Sequence, residues 1–330
     1  MSLLLQREKH SRQIKFQLEK IMKNIKGISV TILAKMDNHI ANGGEKLLGN
    51  ASSIKRRPDG RVYISGQMQR QALFSAIERL NLESSDRGNT YVSNGDGTTN
   101  IIEKDLRADM GGFMHPSQGD YSGRRTAPVS ATMAVSLDES DIGRDLLIRL
   151  KQDPNSDSEQ KQALATNEFS QSDTMQMSFH LDVSVLSISK GFKYEDERHV
   201  KTEYVKHVDD KERERRAKLF LEGTRYLTDY ANQARNATTG EPQKVLIVLD
   251  NRLSRKGARF FEMTDIEKKN FLKELDARKA QYFVGDDTTE DGLTVFEAYE
   301  KAAESLESLL DPTEGAEPVP FEKFAEQVDG

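Results

Sequence analysis

Alternating apolar and polar residues predict three long β-strands in this chain. Apolar side chains recur at nearly every second position over Ile28 to Met36, Val129 to Leu137 and Met177 to Val185. A period of two places apolar side chains on one face of a strand, so each segment fits a sheet with one buried face. A fourth segment, Val245 to Leu249, is continuously apolar and predicts a buried strand.

Apolar residues at helical spacing predict the helices. The clearest pattern follows a short strand, Arg61 to Ile64, and runs from Ala72 to Leu80. Ser65 precedes it and is a suitable N-cap, because its hydroxyl can accept a hydrogen bond from a free backbone N–H of the first turn. Further helical patterns cover Lys211–Arg235, Thr264–Leu275, Thr294–Leu310 and, as a short helix, Leu146–Leu150.

The order of these elements predicts an α+β fold. Two polar stretches with little periodicity, 81–126 and 138–175, are interpreted as insertions. The remaining order, β-α-β, insertion, β-α-β, is that of the split βαβ or ferredoxin-like arrangement. We therefore predict a basic N-terminal arm at 1–26, one domain at 27–285, and an acidic C-terminal helix and tail at 286–330. This arrangement also occurs in RNA-recognition-motif proteins, but a fold alone does not assign a function.

The charge distribution is uneven along the chain. The net charge of the 330 residues is −6, whereas residues 286–330 alone carry −12 and residues 1–285 carry +6. A mildly basic body is compatible with a nucleic-acid partner. There is no cysteine, so disulfides and thiolate metal sites are excluded. No apolar run reaches the length of a membrane span, and we expect a cytoplasmic protein without a membrane partner.

Candidate catalytic residues are few. None of the six histidines forms a metal-binding pair on one helix face, and we expect no metal and no cofactor. Acidic residues and one histidine cluster in the first insertion, where they could bind a divalent ion or assist RNA cleavage; they are Asp105, Asp109, His115 and Asp120. Because polar loops commonly contain such residues, we do not expect catalysis there.

Basic residues gather at the ends of predicted elements. Lys55, Arg56 and Arg57 lie in a loop before the Ser65 helix, and Arg124 and Arg125 lie just before a strand. Cations at such ends can follow a phosphate backbone, and free N–H groups at a helix N-terminus can bind a phosphate.

Three other features are expected to be structural. The run Lys211–Arg216 mixes both signs at helical spacing, which predicts a solvent-exposed helix face. His180 occupies one of the positions that alternate with the apolar residues of a predicted strand, and it is expected at the surface or on the sheet face. The segment Lys190–Tyr194 echoes the aromatic signature of RNA-recognition motifs but lacks the rest of the pattern, so we treat the similarity as chance.

Four segments in this order resemble the DevR group of the Cas-seven family, the repeated backbone subunit of type I CRISPR Cascade complexes. The first strand is followed by an Asn- and Gly-rich loop, and Tyr63–Ala72 resembles the family's strand-to-helix motif. Asp109–Met114 and then Arg124–Leu137 resemble the segment around its central strand. Glu168–Ser172 resembles the end of its thumb hairpin. The resemblance covers roughly residues 27–250 and fits the type I-B branch best.

The resemblance implies a hand-like protein with a ferredoxin-like palm and with fingers and thumb formed by the insertions. Copies would polymerise along a guide RNA, hold its sugar-phosphate backbone and present bases for pairing with a target DNA strand, together with other Cascade subunits. No catalysis is implied. The expected RNA contacts are Asn38, Asn42, Lys55, Arg56, Arg57, Ser65, Gln67, Met68, Arg70, Gln71, Arg124, Arg125, Phe169, Ser170, Gln171 and Met175. A core position for Met175 is the alternative at that residue.

Two other functions stay open at this point. A ferredoxin-like ribonuclease could process guide RNA precursors with the acidic residues of the first insertion. A general single-strand binding protein would bind random RNA as tightly as guide RNA. The roles of residues 1–26 and of the acidic tail do not follow from the resemblance.

Overall fold

The structure is a computed structural model that describes residues 24–47, 51–96, 99–114, 124–151, 161–196 and 198–328. Residues 1–23 of the predicted arm, His115 and Asp120 lie outside the described residues. The strands are β1 (Gly27–His39), β2 (Glu45–Lys46), β3 (Ser52–Ser53), β4 (Tyr63–Ile64), β5 (Phe113–Met114), β6 (Arg124–Arg125), β7 (Val129–Ala131), β8 (Ala134–Ser136), β9 (Ile142–Lys151), β10 (Lys161–Asp182), β11 (Ile188–Glu195), β12 (Arg198–Lys206), β13 (Lys244–Asp250) and β14 (Gln281–Asp286). The α-helices are α1 (Gly66–Glu83), α2 (Leu106–Gly111), α3 (Asp210–Gly223), α4 (Asp265–Ala277), α5 (Val295–Glu304) and α6 (Phe321–Val328).

The main sheet is antiparallel around its central strands. Its order runs β14-β13-β1-β10, and β10 also pairs with β7, β8 and β9. Gly27 of β1 lies opposite Asp182 of β10 and Asp250 of β13, which fixes the register of the three longest buried strands. The predicted strands at 28–36 and 245–249 are confirmed in type. The strand predicted at 177–185 is confirmed as far as Asp182, but β10 begins well before its predicted start and Val183–Val185 form a 3-10 helix.

The apolar stripes of α1 and α3 cover one face of this sheet. Leu73 and Ile77 of α1 and Phe220 of α3 pack with the inward residues of β1, β10 and β13 in one continuous core. On the opposite face of β13, Leu246 and Val248 pack against α4 in a second, smaller core. The sheet is therefore covered on both faces over β13, because its residues alternate between two apolar clusters.

The described part of 286–330 contributes to two of the apolar clusters. Ala298, Tyr299 and Ala302 of α5 are fully buried within the main core. Phe321 and Phe324 of α6 pack with Phe113 in a third cluster. The acidic side chains thus project from elements whose other faces complete the body of the molecule.

Several local expectations are corrected by the structure. The short helix predicted at Leu146–Leu150 is wrong, since these residues lie in β9 and pair with β10. The single strand predicted at 129–137 is divided into β7 and β8. The two-stranded ribbon of β11 and β12 and the edge strand β14 were not predicted. These differences share one cause, which is that strand pairing depends on partners distant in the chain.

Candidate nucleic-acid interface

Helix α1 begins as the sequence predicts. Ser65 is its N-cap, and the Ser65 Oγ accepts a hydrogen bond from the Met68 N–H at 3.2 Å. The first turn contains no acidic residue. The positive end of the helix dipole is therefore not neutralised by a side chain of its own first turn. Gln67 is exposed there, whereas Met68 packs partly against the core.

Gly66 lets the first turn of α1 approach strand β7 closely. A Cβ atom at Gly66 would lie 3.0 Å from the Ala131 carbonyl oxygen, closer than side-chain carbons ordinarily come to a backbone oxygen. A larger residue would force the β7 backbone to move by a few tenths of an ångström, so glycine suits this close approach of two backbones. The start of α1 is thereby held against the edge of the main sheet.

Arg70 is anchored one turn further along α1. Its Nη2 donates a 2.7 Å hydrogen bond to the Gly111 carbonyl at the end of α2, where a cation suits the helix dipole. The guanidinium lies 6.0 Å from the centre of the Phe74 ring, and partial burial lowers the pKa of Arg70. Arg70 is thus half-buried and held in one orientation.

Arg107 of α2 extends the same surface and was not predicted. Its Nη1 donates to the Gln71 Oε1 at 3.1 Å, and its guanidinium lies 4.8 Å from the Phe74 ring centre. Two arginines that are far apart in the chain therefore flank one aromatic ring. No local pattern in the sequence indicates this, because α2 lies in a stretch without periodicity.

Asn42 holds the basic loop, residues 55–57, beside α1. Its Nδ2 donates to the Lys55 carbonyl at 2.9 Å and to the Tyr63 carbonyl at 3.0 Å. Its Oδ1 accepts from the Gly44 N–H at 3.0 Å. The buried Asn42 amide is thus committed to the backbone, and its role in the interface is to position the loop. Asn38 is exposed at the end of β1.

The arginines of the basic loop remain accessible. The side chains of Arg56 and Arg57 are 42% and 43% exposed, and their ion pairs with Glu168 and Asp59 are loose, at 3.7 Å each. Exposed pairs of this kind contribute little to stability, so the arginines can exchange partners. The pair with Glu168 also connects this loop to the hairpin of β9 and β10.

The predicted thumb residues divide into accessible and buried positions. Gln171 is exposed and Phe169 is half-buried against Gly143 of β9, whereas Ser170 is buried. Met175 is fully buried in the main core. Met175 is therefore a core residue, which was the alternative to an RNA contact, because a side chain without exposed surface cannot pack against a base.

Arg125 and Asp109 belong to a buried ionic network. Arg125 donates to the Asp109 carboxylate, and Arg216 donates to the other carboxylate oxygen at 2.6 Å. Ser187 donates both its N–H and its hydroxyl to the same group. Burial disfavours ionisation of Asp109, but the two arginines outweigh it and hold the pKa of Asp109 below its ordinary value. Arg125 is therefore a structural residue in this chain, while Arg124 lies beside it on β6.

The structure tests two further expectations, one on the arginines of α3 and one on His180. Arg213 and Arg216 are buried, so the prediction of a solvent-exposed face over Lys211–Arg216 is wrong. Arg213 donates to the carbonyls of Val183, Leu186 and Leu310. His180 lies on the sheet face, as one of the two expectations had it, and it is buried and hydrogen-bonded to Ser29.

The two described residues of the candidate catalytic cluster, Asp105 and Asp109, both form structural contacts. Asp105 is buried, caps α2 through the Arg107 N–H, and accepts hydrogen bonds from the backbone of Ser93 and Thr99. Within the described ranges, no group of three or more histidine and acidic side chains could hold a metal ion. No helix in the described part of the chain is both long and apolar enough to cross a membrane.

A family model decides the relationship of this chain to known proteins. The model for CRISPR-associated negative auto-regulator DevR/Csa2 matches residues 61–249, which is more than half of the chain. This chain belongs to the DevR/Csa2 family. The match begins just before β4 and ends in β13, so it contains α1, the buried network and the whole of β10.

Solved structures share the fold of this DevR/Csa2 protein. One is a chain of a "CRISPR RNA-guided surveillance complex", with a TM-score of 0.50 and 14% identity, covering 91% of this chain and 99% of that one. Another, from a "CRISPR RNA-guided surveillance complex, pre-nicking", has a TM-score of 0.50 and 12% identity, covering 92% and 99%. The comparison with curated proteins found no match. At these identities the structural likeness concerns the fold alone.

Proposed function

We propose that this chain is a non-catalytic backbone subunit of a CRISPR RNA-guided Cascade complex. Several copies polymerise along one guide RNA, hold its sugar-phosphate backbone and present its bases to a target DNA strand. Other Cascade subunits complete the assembly. Family membership supports this role, and the structural neighbours that share the fold come from complexes described as RNA-guided.

The proposed RNA contacts depend on one observation, which is that the basic loop lies beside the strand leading into α1. The Asn42 amide joins the carbonyls of Lys55 and Tyr63, so the basic loop lies within a few ångströms of the strand that leads into α1. Exposed arginines and a helix N-terminus without acidic residues are thus brought to one place. Both bind phosphate without reading sequence, as a subunit that must accept any guide requires.

The palm of this protein is proposed to be ferredoxin-like. In chain order, β1, α1, β7 with β8, β10, α3 and β13 follow a β-α-β-β-α-β sequence, and both helices pack on one face of the sheet. This sequence of elements supports the assignment. The hairpin of β9 and β10 is the proposed thumb. The type I-B subtype remains a prediction.

The two described carboxylates of the candidate catalytic cluster do not favour the ribonuclease. Asp105 and Asp109 are both buried, and both accept hydrogen bonds within the chain. A general acid or a metal ligand must reach a substrate, which neither carboxylate does. Asp109 instead joins α2 to β6 and α3, and Asp105 caps α2.

Co-expression with a guide RNA tests the proposal. We expect the protein to purify with guide RNA at several copies per RNA, with nuclease protection at a regular spacing. A labelled CRISPR repeat should remain intact with or without magnesium. A protein that stays monomeric and free of RNA beside its guide would contradict the proposal, and specific cleavage of the repeat would favour the ribonuclease. Equal affinity for random RNA with no defined filament length would favour a general single-strand binding protein.

A further inference from the structure

The pairing of β7 and β8 with β10 contains one extra residue. Ala131 lies opposite Phe179, and Val135 lies opposite Gln176. Four steps from 131 to 135 therefore match three steps from 179 to 176, which defines a β-bulge. Bulges redirect a side chain from the face that it would otherwise occupy.

Met133 is the residue that the bulge turns outward. Thr132 stays paired, because its N–H donates to the Ser178 carbonyl at 2.9 Å and its hydroxyl accepts from the Ser178 N–H at 2.9 Å. Ala134 is fully buried again, whereas Met133 is 52% exposed. A long apolar side chain is thus presented to solvent between β7 and β8, next to a residue of the core.

Met133 lies next to the first turn of α1. A Cβ atom at Gly66 would be 3.7 Å from the carbonyl carbon of Thr132, and this carbon is bonded to the Met133 nitrogen. The backbone of Met133 therefore runs beside the first turn of α1, where Gln67 is exposed. The proposed phosphate-binding surface thus has an exposed apolar side chain at its edge.

We infer that Met133 packs against the face of a guide-RNA base whose phosphate is held at the start of α1. The inference rests on the proposed function. Polar and cationic groups suffice to hold a sugar-phosphate backbone, and they leave the base with its apolar faces in water. A flexible, polarisable thioether packs favourably on an aromatic face, and every base offers such a face, so the contact does not depend on sequence. A contact that does not depend on the identity of the base fits a subunit that accepts any guide.

The substitution Met133→Ala tests the inference when its effect is measured on two RNAs. One is a guide-length RNA, and the other is an RNA of equal length without bases. We expect Met133→Ala to weaken binding of the first about two- to tenfold, and to leave binding of the abasic RNA and the salt dependence unchanged. Met133→Leu should retain most of the affinity, because it keeps the apolar volume.

Ile266→Ala is the matched control, since Ile266 is 74% exposed on α4. It should bind both RNAs as the wild type does. Equal affinity of Met133→Ala and the wild type for the normal RNA would overturn the inference, as would an equal reduction on both RNAs. A wild-type protein that binds neither RNA would instead contradict the proposed function, and the inference with it.

Discussion

Two groups of arginines in this chain occupy opposite environments. Arg125, Arg213 and Arg216 are buried, and their guanidinium groups donate to a carboxylate or to backbone carbonyls. Arg56 and Arg57 are more than 40% exposed, and their ion pairs with Glu168 and Asp59 are loose. In the sequence, Arg125 and the exposed arginines lie in basic clusters beside predicted elements, whereas Arg213 and Arg216 lie in a helical run of mixed charge.

The difference between them is a matter of desolvation. A buried guanidinium must have its partners within the protein, because an unpaired buried charge is costly. The buried arginines therefore fix the arrangement of α2, α3 and the segment before β11, and none of them is available to a phosphate. An exposed arginine retains its water and can exchange it for a phosphate oxygen. Burial, rather than charge, separates structural arginines from candidate RNA contacts.

The largest effect is expected from removing the centre of the buried network. Asp109→Ala leaves Arg125 and Arg216 without their shared carboxylate, which we expect to lower the free energy of unfolding by about 3–5 kcal/mol. Urea denaturation measures this decrease. Asp96→Ala is the control, because Asp96 is an exposed residue of the same insertion and should change stability little. A normally stable Asp109→Ala protein would show that the network is not structural.

A smaller effect is expected where α1 meets β7. Gly66→Ala places a carbon 3.0 Å from the Ala131 carbonyl, which cannot move without disturbing the pairing of β7 with β10. We expect a decrease of about 1–3 kcal/mol in the free energy of unfolding and weaker RNA binding. In Gly191→Ala the new carbon meets Phe324 at an ordinary 3.5 Å, so stability should change less. Equal stability of the two variants would contradict the close approach.

The pH dependence of stability offers a third test, because His207 lies beside the network. Burial lowers the pKa of His207 to about 4, and that of His180 to about 4. In the unfolded chain these groups have a pKa near 6.5, so below that pH protons bind the unfolded state first. The free energy of unfolding should be constant above pH 7 and fall by about 2 kcal/mol per histidine at pH 5.

Replacing one histidine separates its contribution. His207→Gln should remove about half of the fall between pH 7 and pH 5, which denaturation at each pH measures. Asp311, whose pKa is held at about 2 despite burial by hydrogen bonds from Thr313 and Lys206, does not titrate in this range. A free energy of unfolding that stays the same from pH 7 to pH 5 would contradict the burial of both histidines.

Some features of the fold and of the candidate interface can be predicted from the sequence, and others cannot. Short-range patterns suffice for β1, α1 and the Ser65 cap, since alternation, helical spacing and a capping hydroxyl are local properties. The buried state of Arg216 depends on Asp109, about a hundred positions earlier, and that of Arg213 depends on backbone carbonyls as distant as Leu310. The same holds for β9, whose residues pair with β10, and for Arg107 at the candidate interface. Met133 is exposed only because a bulge forms against β10, which no local pattern indicates.

The salt dependence of guide-RNA binding tests the central claim most directly. A double variant, Arg56→Ala with Arg57→Ala, should reduce the slope of log affinity against log salt by about 0.7 for each phosphate that the protein no longer neutralises. Arg252→Ala removes an exposed arginine near Gly27, at the opposite end of β1, and should leave the slope unchanged. An unchanged slope in the double variant would contradict the claim that these exposed arginines hold the RNA backbone.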